Sequence, residues 1–119
     1  MRDPDARLAD LLAAADRLAE RGPIDAARLA ADYELQVWVC YHLQLIGEAV
    51  AGLPQEFTTA HPGVNWKGFK GLRDVLIHRY YEPDWSLIAR ALNEDLPADR
   101  ARIEAIREGL GTPDGGSAR

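Results

Sequence analysis

Apolar positions recur three and four residues apart along most of this chain. Leu8, Leu11, Leu12, Ala15 and Leu18 share one helical face, with Asp10, Asp16, Arg17 and Glu20 placed around them. Gly22-Pro23 then breaks the run, and Pro23 suits the first turn of the next helix. From Ile24 to Ala51 there is no proline and Gly47 is the one glycine, which predicts a long helix with room for a bend. Leu29, Tyr33, Val37, Cys40 and Tyr41 trace one stripe along it, and Pro54 closes it. Residues 54–65 read as a loop with a short helical turn. Trp66 to about His78 reads as a third helix. Pro83-Asp84 is a stop followed by an N-cap for a fourth, with Trp85, Ile88 and Leu92 on its apolar face. Pro97 opens a fifth, carried by Ile103, Ile106 and Leu110. The segment 111–119, GTPDGGSAR, has nothing to pack and is expected to be disordered. The pattern predicts an all-α antiparallel bundle, four main helices plus a short one, forming a single domain over residues 1–110.

Composition supports this. Alanine and leucine total 34 residues against 11 for valine plus isoleucine, an excess of helix formers over β-branched side chains. A chain of 119 residues supports one core and is too short for two lobes around a cleft. With 47% hydrophobic residues it is too apolar to be disordered. No long uncharged apolar run predicts a membrane span, and charges throughout residues 1–22 argue against a signal peptide, so a cytoplasmic protein without a membrane partner is expected. Cys40 is the sole cysteine, which excludes an internal disulfide and a multi-cysteine metal site; in its apolar run it reads as buried and inert.

The formal charge of −5 argues against a nucleic-acid partner until it is divided by segment. Residues 61–81 hold Lys67, Lys70, Arg73 and Arg79 against Asp74 alone, a local +3, which leaves −8 for the remainder. On a helical wheel with Trp66 at zero, Phe69, Leu72, Leu76 and Ile77 span an apolar arc from about 240° through 20°. Arg73 falls inside that arc at about 340°, so its guanidinium needs a partner or an interface. Asp74 and His78 are four residues apart, close enough for the carboxylate to orient the imidazole. These groups suit phosphodiester chemistry on RNA. An imidazole exchanges protons near neutrality, a guanidinium fork matches phosphate oxygens, and attack by the ribose 2′-hydroxyl needs neither metal nor cofactor. Arg73 and His78 are nevertheless about 140° apart on a regular helix. Either the helix ends before His78, or the site is assembled with a second chain.

The segment from Gly71 to Tyr80 contains R-x4-H-x-Y and resembles the signature of the HEPN superfamily, in its HepT-like branch. Leu45-Ile46-Gly47-Glu48-Ala49 resembles the family's IGEA stretch, His61-Pro62 with Trp66 its HP…W connection, and Glu94-Asp95-Leu96-Pro97 its EDLP. The resemblance covers roughly residues 33–106 in order and spacing. It implies a helical bundle that dimerises to bring two motifs into one cleft, and a metal-independent endoribonuclease toxin of a type VII HepT/MNT-like toxin–antitoxin pair. Arg73 and His78 are then catalytic. The antitoxin, a minimal nucleotidyltransferase, silences the toxin by AMP transfer to the motif tyrosine, here Tyr80, with Tyr81 as a second hydroxyl. Asp74 stands where asparagine is frequent in the family, and Arg79 where a smaller or different polar residue is.

Blander roles compete. Arg73 either binds phosphate or pairs with Glu48, which is expected to hold that arginine or a dimer contact. His61 reads as a loop or capping residue, and His42 as a surface or interface group. Trp38, Trp66 and Trp85 read as core or interface aromatics. Lys67, Lys70 and Arg79 are expected to guide the RNA backbone, with a merely solvated face as the alternative for Lys67 and Lys70. The rival to a nuclease is a non-catalytic helical binding partner, a substrate module of a minimal nucleotidyltransferase.

Overall fold

The structure, a computed structural model, describes residues 3–78 and 84–111, with the backbone alone at Val75, Ile77, His78 and Gly111. Helix α1 (Pro4–Glu20) starts at Asp3, whose carboxylate accepts the Ala6 N–H at 2.8 Å; Pro4 takes a first-turn position where no N–H is needed. Leu8, Leu11, Leu12, Ala15 and Leu18 are all buried, as their spacing predicts.

The single helix expected over 24–51 is two. Helices α2 (Ala26–Ala31) and α3 (Tyr33–Ala51) meet at Asp32, whose backbone is extended at φ −127° and ψ 102°. The Asp32 carboxylate accepts the Leu35 N–H at 3.0 Å. The Gln36 side-chain amide donates to the Leu29 carbonyl at 2.9 Å and the Ala30 carbonyl at 3.1 Å. One side chain caps the start of α3 and the other the end of α2, so the break leaves these end groups partnered. Pro23 lies before α2 rather than in its first turn, because Asp25 is the N-cap and accepts the Arg28 N–H at 2.7 Å.

Helix α4 (Gln55–Ala60) is the short turn expected in the loop, and α5 (Trp66–His78) follows. Helix α6 (Trp85–Arg90) is capped by Asp84, which accepts the Leu87 N–H at 3.1 Å. It does not stop before α7 (Leu96–Gly111); a π-helical turn over Ala91–Asp95 joins the two. Pro97 supplies the reason. In a regular helix its ring meets the carbonyl four residues back, and it has no N–H to donate; a widened turn relieves both problems. Asn93, within that turn, accepts the Ile24 N–H at 3.2 Å and donates to the Ile24 carbonyl at 2.8 Å, tying the α1–α2 connection to the far end of the chain.

Helix α3 packs against α1 and α5, α1 also against α7, and α2 against α6. Leu8, Leu11, Leu29, Val39, Leu43, Ile46, Ile88 and Ile103 meet in one fully buried core. Arg100 with Asp16 (2.6 Å) and Arg107 with Asp5 (3.0 Å) pin α7 to α1. Leu110 is exposed, so the packed face of α7 ends near Ile106. There is no strand among the described residues, and the chain is all-α. No described helix is long and apolar enough to cross a membrane.

Candidate active site

The motif begins on α5, whose apolar face is set by Trp66, Phe69 and Leu72, all buried, with Leu76 packed against the core. Arg73 stands within that face. Its side chain is 28% exposed, and its stem lies directly over Gly47 of α3. A Cβ added at Gly47 would collide with the Arg73 Cβ and come within 3.2 Å of the Phe69 carbonyl oxygen. The missing side chain therefore lets α5 approach α3 at the height of the arginine. The aliphatic stem fills the seam and the charged end reaches its rim.

There Arg73 Nη2 donates to Asp74 Oδ1 at 3.3 Å, while Arg73 Nε is buried and has no hydrogen-bond partner among the described residues. The Nη end of the guanidinium lies at the exposed rim, where an arriving oxyanion can accept from it. Asp74, expected to orient His78, is the ion-pair partner of Arg73 among the described residues. The imidazole of His78, and all of Arg79, Tyr80 and Tyr81, lie outside the described residues. The backbone is helical through His78, which removes the option that the helix ends before it and retains the expected 140° offset, about 7.5 Å along the axis.

The alternative partner of Arg73 points elsewhere. Glu48 is exposed and lines the groove between α1 and α3 together with Arg7, Asp10, Arg17 and His42. His42 is buried rather than superficial. Its Nδ1 lies 2.7 Å from the Trp38 carbonyl oxygen and its ring packs 4.6 Å from the Trp38 ring, which also carries the Arg21 guanidinium at 4.2 Å. His61 is the C-cap of α4; its N–H donates to the Thr58 carbonyl, and its own carbonyl accepts Trp66 Nε1–H at 2.8 Å. Cys40 is half-buried rather than fully enclosed, and burial pushes its thiol above the ordinary range. Lys67 and Lys70 are exposed on α5, on the N-terminal side of Arg73. Among the described residues no group of three or more His, Cys, Asp or Glu is arranged to hold a metal ion.

One feature of this region escapes the one-stripe reading of the long helix. Helix α3 has two apolar faces. Leu35, Val39, Leu43, Ile46 and Val50 are buried in the core, whereas Tyr33, Val37, Tyr41 and Leu45 stand 76%, 52%, 59% and 41% exposed. Spacing of four residues from Tyr33 through Leu45 is the signal that separates this second stripe from the core positions. Gly47 is the other: the IGEA resemblance includes it, but only the helix crossing shows why no larger residue fits.

The family model for ribonuclease HepT-like proteins matches residues 11–106. A Methanocaldococcus jannaschii protein provisionally named as an RNase is 32% identical over 106 residues, covering 88% of this chain and 97% of the relative. The "Probable ribonuclease HepT" of Thermococcus cleftensis is 32% identical over 77 residues, 65% of this chain and 70% of its own length. A second M. jannaschii protein, also provisionally named as an RNase, is 40% identical over 75 residues, 63% of this chain and 62% of the relative. No solved structure matches the chain. A helical bundle that brings Arg73 onto Gly47, within a match spanning all four sequence motifs, places this chain in the HepT-like ribonuclease family.

Proposed function

We propose that this chain is a metal-independent RNA endonuclease that works as a homodimer and serves as the toxin of a HepT/MNT-like pair. The observation that carries the reading is Arg73, whose stem is held in the α3–α5 seam and whose guanidinium end reaches the rim, at the start of R-x4-H-x-Y. In the reaction, one His78 removes the proton of a ribose 2′-hydroxyl. The freed oxygen bonds to the adjacent phosphorus, and the bond to the 5′-oxygen breaks. That oxygen leaves with a proton from a second acid, the partner copy's motif histidine, giving a 2′,3′-cyclic phosphate and a 5′-hydroxyl. Arg73 binds the non-bridging oxygens and stabilises the charge that builds on them. Asp74 holds the guanidinium plane through their ion pair.

Two features favour a site between copies. Helical backbone through His78 keeps it offset from Arg73 within one chain. The exposed Tyr33–Val37–Tyr41–Leu45 stripe lies on α3, the helix against which Arg73 packs, and offers a second copy apolar area to cover. Silencing follows from the motif: a nucleotidyltransferase antitoxin transfers AMP to Tyr80, placing a bulky anion beside the catalytic pair. Purified protein incubated with RNA in EDTA tests the nuclease. Wild type should cut and Arg73→Ala and His78→Ala should not; equal cutting by all three overturns the reading. Mass spectrometry of the Tyr80 peptide after incubation with the nucleotidyltransferase and ATP tests the modification, which fails without an AMP adduct.

A further inference from the structure

Beside the arginine, α5, α4 and the end of α3 enclose an open notch of about 470 Å³. Its rim carries Lys67 and Lys70, and no acidic residue lines it, although the protein as a whole is acidic. Neither lysine pairs with a carboxylate among the described residues, whereas the other grooves with basic residues beside α1 and α3 include Asp10, Glu20 or Glu48. Lys70 stands three residues before Arg73, a rise of about 4.5 Å, so the notch lies within one nucleotide's reach of the proposed cleavage site.

The rest of the lining is polar in part and partly prearranged. Asn65 accepts the Gly68 N–H on its Oδ1 at 3.0 Å, which sets the amide and leaves its Nδ2 as a donor. Thr58 spends its hydroxyl proton on the Gln55 carbonyl at 3.0 Å, while the Gln55 amide and the Thr59 hydroxyl have no partner among the described residues. Val64 and Leu53 supply a buried apolar floor. Cations at the rim, an apolar floor and a wall of both donors and acceptors match the three parts of one nucleotide: phosphate, base face and base edge.

We infer that this notch binds the single-stranded nucleotide next to the scissile phosphate. Lys67 and Lys70 hold its phosphate, and Gln55, Thr59 and Asn65 read its base. The inference deepens the ribonuclease reading and rests on it for the position relative to the cut, but not for binding itself.

Two measurements test it, after circular dichroism has shown that the variants are folded. Anisotropy with fluorescein-labelled 12-mers of oligo(U), oligo(A) and oligo(C) reads binding. Lys67→Ala/Lys70→Ala should weaken all three by tenfold or more and flatten the salt dependence by about 1.4 in log–log slope. Gln55→Ala/Thr59→Val should instead change the ranking of the three. Sequencing the ends produced from a randomised RNA pool reads the cut: wild type should show a base preference at one position flanking it, and Gln55→Ala/Thr59→Val should lose that preference. Unchanged binding, slope and ranking in the variants overturn the notch. If wild type binds as described yet cuts nothing, the notch stands and the nuclease reading falls. If it cuts and the variants keep its preference, the nuclease stands and the base-reading role falls.

Discussion

Gly47 of α3 lies so close beneath Arg73 of α5 that a single added methyl group would overlap the arginine stem. This contact sets both the helix–helix distance and the height at which the guanidinium emerges. In a solvated helix, alanine in place of glycine gains about 1 kcal/mol. Here the clash with Cβ and the proximity of the Phe69 carbonyl outweigh that gain. Gly47→Ala should lose about 1–3 kcal/mol of stability, measured by urea denaturation, and should lower RNA cleavage by displacing Arg73.

The polar end of Arg73 should matter little to the fold, because its ion pair with Asp74 is between neighbours at the surface. Arg73→Ala keeps the Cβ that lies over Gly47 while giving up the rest of the stem's packing. Arg73→Ala should melt within a few degrees of wild type yet cleave RNA about 100-fold more slowly or worse. Arg73→Lys keeps the charge and loses the planar fork, so it should recover little of that rate. A lysine variant as active as wild type would reduce the role to simple charge.

The exposed stripe on α3 offers a separate handle on assembly. Val37→Asp or Tyr41→Asp changes a side chain that stands mostly in solvent, Tyr41 resting edge-on against His42, so each monomer should keep its stability within about 1 kcal/mol. Light scattering coupled to gel filtration should show a dimer for wild type and a monomer for the variants, with cleavage lost alongside. Monomers that cleave normally would remove the partner histidine from the mechanism.

Asn93 bridges the π turn to both polar groups of Ile24. Asn93→Ala leaves these groups short of partners and should lose about 2 kcal/mol, at about 1 kcal/mol per bond. Thermal melts would register it, while the affinity of the folded protein for RNA should not change.

Cys40 supplies a pH-dependent reading. Burial raises its thiol pKa, so at a given pH less thiolate is present than for a free cysteine. Its reaction with a disulfide reagent should be slow at pH 8 and still climbing above pH of about 8.5, where an ordinary thiol begins to level off. A rate profile equal to that of free cysteine would show that the thiol is not shielded.

Much of this protein was legible in its residues. Helical spacing, the proline stops and the Asp84 cap located α1, α5 and α6, because these signals act within a few residues of the chain. Segmental charge isolated the basic island, and ordered motifs pointed to the family. The division of the long helix at Asp32 was less legible, since an aspartate is equally a helix residue and an N-cap until Gln36 folds back to close the preceding turn. The same holds for the merging of α6 with α7, where a proline that reads as a fresh start is absorbed by a π turn.

What the sequence determined by itself is therefore local: which segments coil, which faces are apolar, and which residues carry chemistry. Tertiary structure decided what those faces meet. It turned Tyr33, Val37 and Tyr41 outward while Leu35, Val39 and Leu43 turned inward, since a helix with two apolar faces can bury only one in a core this small. It gave Arg73 to Asp74 instead of Glu48, because Glu48 projects toward α1 while the arginine stem is held over Gly47. It also gathered Lys67, Lys70, Gln55, Thr59 and Asn65 around one notch, which depends on the packing of three separate elements. Contacts between distant segments depend on the volume and direction of side chains across a seam, and spacing along one helix carries no record of the helix opposite.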